Sequence, residues 1–205
     1  LYNPIKRDWD RDIMAAFGLP EKIFPPIDMP GTIRGRLRSD IARELGINCA
    51  AFAAVGTHDT ASAVAAIPGS GSFAFCSSGT WSVFGMEAEL PLLTDEVRDA
   101  GFSNEGNVQG GFCPLKNIMG LWLIQECRRE WQAEGMSLSW DEIVREAEAA
   151  EPFRSIIDTD HAPFFSGTRI RQKIRQFCAA TNQPLPDTVG RFARCIYESL
   201  ALKYR

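Results

Sequence analysis

Residues 48–67, NCAAFAAVGTHDTASAVAAI, run an apolar stretch into a small-residue stretch with only Gly-Thr-His-Asp between them. That arrangement narrows the folds open to the chain. NCAAFAAVG reads as a short buried strand, with a helix as the rival its alanines leave open, and TASAVAAI reads as a helix. A strand delivered straight into a helix marks an α/β layer, where ligands gather beyond the carboxyl ends of strands. His58 and Asp59 stand just past such an end, where neither side chain aids packing.

On the N-terminal side, WDRDIMAAFGL predicts a helix with Ile13, Met14 and Phe17 on one side and Gly18 as its stop. PEKIFPPIDMP reads as a connector, and Pro30-Gly31 as a turn ahead of a strand over Thr32 to Leu37. Ser39 is expected to cap a helix DIAREL that ends at Gly46. Pro68 and the GSGS at 69–72 close TASAVAAI and place a domain junction there, dividing the chain into 1–66 and 67–205. Beyond it, SFAFCS and TWSVFG flank Ser78-Gly79 as a hairpin. GFSNEG and VQGGF form a second pair with Glu105, Gly106 and Asn107 as turn residues. A helix over 115–133 carries Ile118, Leu121, Trp122, Ile124 and Trp131 at helical spacing. WDEIVREAEAA follows with Ser139 as its cap, then a helix over 168–180. The last helix starts near Asp187, with Val189, Phe192, Ile196 and Leu200 on one face.

Net charge is −4, from 22 basic and 26 acidic side chains, so the basic footprint of a nucleic-acid binder is missing. No apolar run is long enough to span a membrane. The six cysteines form no Cys-x-x-Cys pair, and with only two histidines, His58 and His161, a structural zinc site is not expected. Cys76 and Cys195 read as small core residues, and the set as reduced thiols in a cytoplasmic protein. The opening lacks an initiator Met and the last helix lacks a stop signal. Both ends look cut from something larger, and the piece alone is expected to be inactive.

Asp59 is the first candidate for chemistry. A carboxylate after a strand, followed by small residues, suits accepting a proton from a hydroxyl or holding a metal. It equally suits capping the helix TASAVAAI, and the two roles compete, because backbone N–H bonds stabilise the anion and weaken the base. His58 is either a packed histidine or a donor to a polar ligand. Gly79-Thr80 sits at a turn where N–H groups beside a hydroxyl can hold phosphate oxygens. SSGTWS is neither a Gly-x-x-x-x-Gly-Lys nest nor a Gly-x-Ser-x-Gly elbow, which argues against an esterase. Asn117 and Gln125, on the expected 115–133 helix, would be offset by roughly 80° with an axial rise of about 12 Å. They could present themselves to two parts of an extended ligand, or simply edge the core stripe. Lys116 reads as solvated.

GTHDTASAVAAI, SSGTWSVFG, NEGNVQG and LKNIMGLWLIQE occur in an order that resembles the FGGY carbohydrate kinases. HDTASA with KNIMGLWLIQ resembles the rhamnulokinase family within them, more than xylulokinase or glycerol kinase. The resemblance implies a partial actin-like (ribonuclease H-like) α/β kinase: 1–66 as the C-terminal part of the first, sugar-side domain and 67–205 as the N-terminal part of the second, ATP-side domain. It implies transfer of the ATP γ-phosphoryl group to the 1-hydroxyl of L-rhamnulose, with Mg²⁺, in rhamnose catabolism. Asp59 falls on the proton acceptor, His58 and Asn117 on sugar-binding positions, and Thr80, Gln125 and neighbouring Gly79 on ATP-binding ones. Metal ligands stay unassigned within this segment. L-rhamnulose and ATP are the expected partners, with no nucleic acid or membrane, and a monomer or weak homodimer is expected. A related kinase for xylulose, ribulose or fuculose, or a non-catalytic sugar-binding homologue, stays open. HAPFFSGTRIRQKI departs from the family pattern at Ser166 and Gly167, which reads as a surface difference.

Overall fold

The computed structural model describes residues 1–69 and 71–205; Ser70, inside the 69–72 stretch expected at the domain junction, lies outside the described residues. The chain makes a mixed α/β fold of two compact units, one built from Leu1–Phe75 with Gly85–Lys116 and the other from Cys76–Phe84 with Asn117–Arg205.

The first unit opens with a short antiparallel pair, β1 (Tyr2–Asn3) and β2 (Asp8–Trp9), then α1 (Arg11–Ala16). Asp10 caps α1 by accepting the Ile13 amide, and Gly18 ends it in the left-handed region. Met14 is its one buried residue, while Ile13 and Phe17 face solvent. Strand β3 (Ile33–Arg36) falls within the expected stretch, and helix α2 (Ser39–Leu45) stops at left-handed Gly46. Ser39 does not cap α2: the cap position is Arg38, without a side-chain bond.

Strand β4 (Ala51–Ala53) pairs antiparallel with β3 alone. All its residues are exposed, correcting the expected buried strand, because a two-stranded ribbon has no further strand to cover it. Helix α3 (Asp59–Ala65) follows, packing through Ala61 and Val64.

A four-stranded sheet of order β5-β6-β8-β7 comprises β5 (Ala74–Ser78), β6 (Trp81–Met86), β7 (Ser103–Gly106) and β8 (Phe112–Met119), with the short helix α4 (Asp95–Asp99) between β6 and β7. The two-residue link between β5 and β6 is the expected hairpin. Because β5 lies at the sheet edge and its side chains alternate, Phe75 is buried and Cys76 exposed, against the expectation of a core Cys76. Strand β7 pairs antiparallel with β8, Glu105 opposite Cys113. Glu105 and Gly106 therefore belong to the strand, and the turn runs from Asn107, whose Oδ1 accepts the amides of Gln109 and Gly111 at 3.0 and 2.7 Å.

The second unit holds the larger core. Helices α5 (Trp122–Ala133), α6 (Trp140–Ala149), α7 (Ile170–Ala180) and α8 (Val189–Tyr204) bury Leu123, Ile124, Cys127, Trp131, Ile143, Ile174, Phe192, Ile196 and Leu200 together. Ser139 and Glu142 form the reciprocal capping box at the start of α6. Gly190 lets α8 approach α6, since a Cβ there would collide with the Glu146 carbonyl oxygen. Among the described residues no helix is long and apolar enough to cross a membrane.

Candidate functional site

Just past β4 the chain turns through Gly56 and Thr57 into α3. His58 takes the N-cap position with extended backbone (φ −82°, ψ 126°) and makes no side-chain cap bond. Asp59 is the first helical residue and is exposed. Its Oδ1 accepts the Thr60 amide at 2.8 Å, the single hydrogen bond of that carboxylate among the described residues. Asp59 is thus not the N-cap residue: one oxygen accepts the adjacent amide, and the other accepts no hydrogen bond among the described residues. Ser62 closes the turn by donating to the Gly56 carbonyl at 3.0 Å.

Within the same unit His58 lines a cleft of about 430 Å³ with Tyr2, Asp28, Met29, Val55, Thr57, Glu105 and Asn107. Its Nδ1 lies 3.6 Å from Glu105 Oε2. Asp28 is already paired, with Arg34 at 2.5 Å. Cys113, opposite Glu105 on β8, is pushed up to about 11 by burial first and then by the charges of Glu87 and Glu105, so its thiol stays neutral beside the cleft. Glu105 is the cleft residue that the sequence did not single out as a candidate. It was visible inside NEGNVQG only as a turn residue, and its meeting with His58 depends on chain segments far apart in sequence.

The second unit carries the other set. Thr80, at the β5–β6 turn, is exposed, and its Oγ1 lies 3.3 Å from both the oxygen and the nitrogen of the Gln125 side-chain amide on α5. Trp122 and Gly120 amides donate to the Thr80 carbonyl, each at 3.2 Å, and Leu121 donates to Gly79 at 2.8 Å. The hairpin turn is thereby stitched to the start of α5. Gly79's own amide donates to the Trp81 carbonyl at 3.0 Å, so this N–H is engaged in the hairpin and does not point to a phosphate. What the turn leaves exposed is the Thr80 hydroxyl with the Gln125 amide beside it.

Asn117 requires a correction. It lies on strand β8, not on the helix of Gln125, so the helical offset between them does not apply. The apolar spacing predicted a helix from 115; pairing with β7 and β6 instead makes Phe112–Met119 a strand, and the helix starts only at Trp122. Asn117 is nonetheless exposed on its strand. Lys116, read as solvated, instead donates to the Ala100 carbonyl at 2.8 Å. Ser166 and Gly167, where the family pattern is broken, are both exposed; Lys173 Nζ holds the Ser166 carbonyl at 2.6 Å.

Among the described residues no three His, Cys, Asp or Glu side chains converge as a metal-ligand set. All six cysteines are free thiols. A larger cavity of about 700 Å³ lies against α5, α7 and the start of α8 and contains none of the predicted residues. Its charges already answer one another, Arg171 pairing with Glu130 at 2.9 Å and with Glu134, and Arg175 donating to the Pro186 carbonyl.

The model of the FGGY family of carbohydrate kinases, C-terminal domain, matches residues 74–205, well over half the chain. This chain belongs to the FGGY family of carbohydrate kinases. It is similar along its whole length to the rhamnulokinases of Bacteroides thetaiotaomicron (40% identical, spanning 42% of that protein) and Oceanobacillus iheyensis (35% identical, spanning 43%). The chain therefore spans less than half the length of these relatives. The solved structure of xylulose kinase from Bifidobacterium adolescentis aligns with 99% of this chain and 42% of its own, at a TM-score of 0.47 and 17% identity.

Proposed function

We propose that the protein carrying this chain phosphorylates a keto-sugar with ATP, and that the sugar is L-rhamnulose, yielding L-rhamnulose 1-phosphate and ADP. The observation that carries the reading is the Asp59 carboxylate, exposed at the first turn of α3 with one oxygen uncommitted, beside a histidine that lines a cleft of sugar size. Identity of 34–40% to proteins named rhamnulokinase supports the choice of sugar.

Asp59 takes the proton of the acceptor hydroxyl as its oxygen bonds to the γ-phosphorus, and the bond from that phosphorus to the bridging oxygen breaks to release ADP. His58 and Asn117 orient the sugar. Thr80 and Gln125, polar and reachable on α5 and its hairpin, fit the nucleotide. Magnesium, when bound, neutralises charge on the phosphate oxygens. It needs only one or two carboxylates beyond the phosphates, so no residue of this chain is assigned to it. In this reading 1–66 belongs to the sugar-side domain and 67–205 to the ATP-side domain; the family match starting at residue 74 supports the second assignment.

The test is ADP release by the full-length protein against L-rhamnulose, xylulose, ribulose and fuculose, with Asp59→Asn alongside. L-rhamnulose is expected to give the highest kcat/KM. Asp59→Asn is expected to lower kcat by about 10²- to 10⁴-fold with an unchanged Tm. Retained turnover with a lowered Tm would assign Asp59 to helix capping alone. Preference for another keto-sugar would move the substrate within the family, and sugar binding without ADP release would make the protein a non-catalytic relative.

A further inference from the structure

We propose that Glu105 is the positioning residue for His58, fixing the imidazole through Nδ1 so that Nε2 is left to accept a hydrogen bond from a hydroxyl of the keto-sugar. The inference rests on the sugar-kinase reading above and adds to it a residue and a tautomer.

Both side chains line the same cleft of the first unit, with Nδ1 and Oε2 3.6 Å apart. That separation is just beyond a direct hydrogen bond, and a small side-chain rotation closes it. The backbones on either side are held. Strand register places Glu105 opposite Cys113. The loop that follows is locked by Asn107, whose side chain is buried, accepts the Gln109 and Gly111 amides and donates to Glu87 at 3.2 Å. The same loop packs on the His58 segment so closely that a Cβ on Gly56 would stand 2.7 Å from Val108 Cγ1.

His58 itself makes no cap bond to α3, and its side chain is 54% exposed. An imidazole so placed must be ordered when a ligand binds, and a carboxylate partner reduces that cost beforehand. Because a carboxylate only accepts, its partner nitrogen carries the proton, and in the neutral imidazole Nε2 is then the acceptor.

The experiment measures sugar and ATP KM, kcat and Tm for full-length Glu105→Ala, the isosteric Glu105→Gln, His58→Ala, and the double variant Glu105→Ala/His58→Ala. Glu105→Ala is expected to raise sugar KM roughly tenfold, leaving ATP KM within about twofold and Tm unchanged. Glu105→Gln, which can still accept from Nδ1–H, is expected to recover part of the loss, and the double variant to be no worse than His58→Ala. Multiplying defects in the double variant, a wild-type sugar KM in Glu105→Ala, or ATP and sugar KM rising together with a lower Tm would each overturn the inference. A wild-type protein that phosphorylates no keto-sugar would remove the kinase reading and this one with it, whereas an active wild type with an indifferent Glu105→Ala would remove this one alone.

Discussion

Gly120→Ala tests how the residues proposed for the nucleotide are held. An alanine Cβ there would lie 2.6 Å from the Gly79 carbonyl oxygen, 2.6 Å from Ser82 Oγ and 2.8 Å from the Ser82 amide nitrogen. Two of these three are backbone atoms, so no side-chain rotation relieves the clash. The junction must open by about 0.5 Å or more to restore ordinary contact. Three hydrogen bonds cross that junction, from Gly120 and Trp122 to Thr80 and from Leu121 to Gly79. Losing two of them at about 1 kcal/mol each, together with about 1–3 kcal/mol of overpacking, gives a destabilisation of about 3–5 kcal/mol. For a chain of this length that lowers Tm by about 6–20 °C. ATP KM is expected to rise, because the Thr80 turn moves away from Gln125, with sugar KM unchanged. The assay is thermal unfolding followed by circular dichroism, with initial rates at varied ATP and varied sugar. Gly35→Ala, where nothing lies within 4 Å of the added carbon, is the control and should stay within about 0.5 kcal/mol of wild type. A Gly120→Ala protein melting with its control would refute the steric argument.

Thr80→Val keeps the volume and removes the hydroxyl beside Gln125; ATP KM should rise roughly tenfold with sugar KM unchanged, as read from initial rates. Lys203→Met should alter the pH dependence of stability. Lys203 donates to Asp158 at 2.8 Å and lies 3.1 Å from Asp160. Its hydrogen bond holds Asp158 below the usual 3.8; burial pulls Lys203 down, but the two carboxylates outweigh it and hold the ammonium above 10.5. A depressed carboxylate stabilises the fold above 3.8 and loses that contribution as pH falls through its folded value, while a raised ammonium loses its contribution as pH climbs beyond 10.5. The Tm difference between wild type and Lys203→Met should therefore be flat from roughly pH 5 to 9 and shrink towards either extreme. Asp158 is 53% exposed, so the plateau should amount to less than about 1 kcal/mol. A difference that grows on acidification would contradict the assignment.

Features set by neighbours in sequence were legible. Ser139 with Glu142 three residues on gives the capping box of α6, and the spacing of Phe192, Ile196 and Leu200 gives the buried face of α8. The hairpin, whose turn falls at Gly79-Thr80, one residue past the expected Ser78-Gly79, and the helix stops at Gly18 and Gly46 follow from turn chemistry in the same way. Ser39 shows the limit of that logic: a good capping residue became the first helical residue because the chain entered the turn one position earlier. Asn117 failed for a different reason. The helical spacing of Ile118, Leu121 and Ile124 runs across the junction of β8 and α5, and only pairing with distant strands made its first part β8.

The candidate site divides along the same line. Asp59 and His58 were found because a strand end followed by a helix start is a local pattern that places polar groups where packing has no use for them. Whether Asp59 would be the cap was not legible: the cap position fell to His58, leaving Asp59 as the first helical residue with one oxygen on the Thr60 amide. The approach of His58 to Glu105 and the contact of Thr80 with Gln125 were beyond the sequence. Local propensities act over a turn or two of chain, so the residues themselves determined which segments curl, extend and stop. Side chains from remote segments meet only where sheet register and close glycine contacts at Gly56 and Gly120 carry them, and those are properties of the tertiary structure alone.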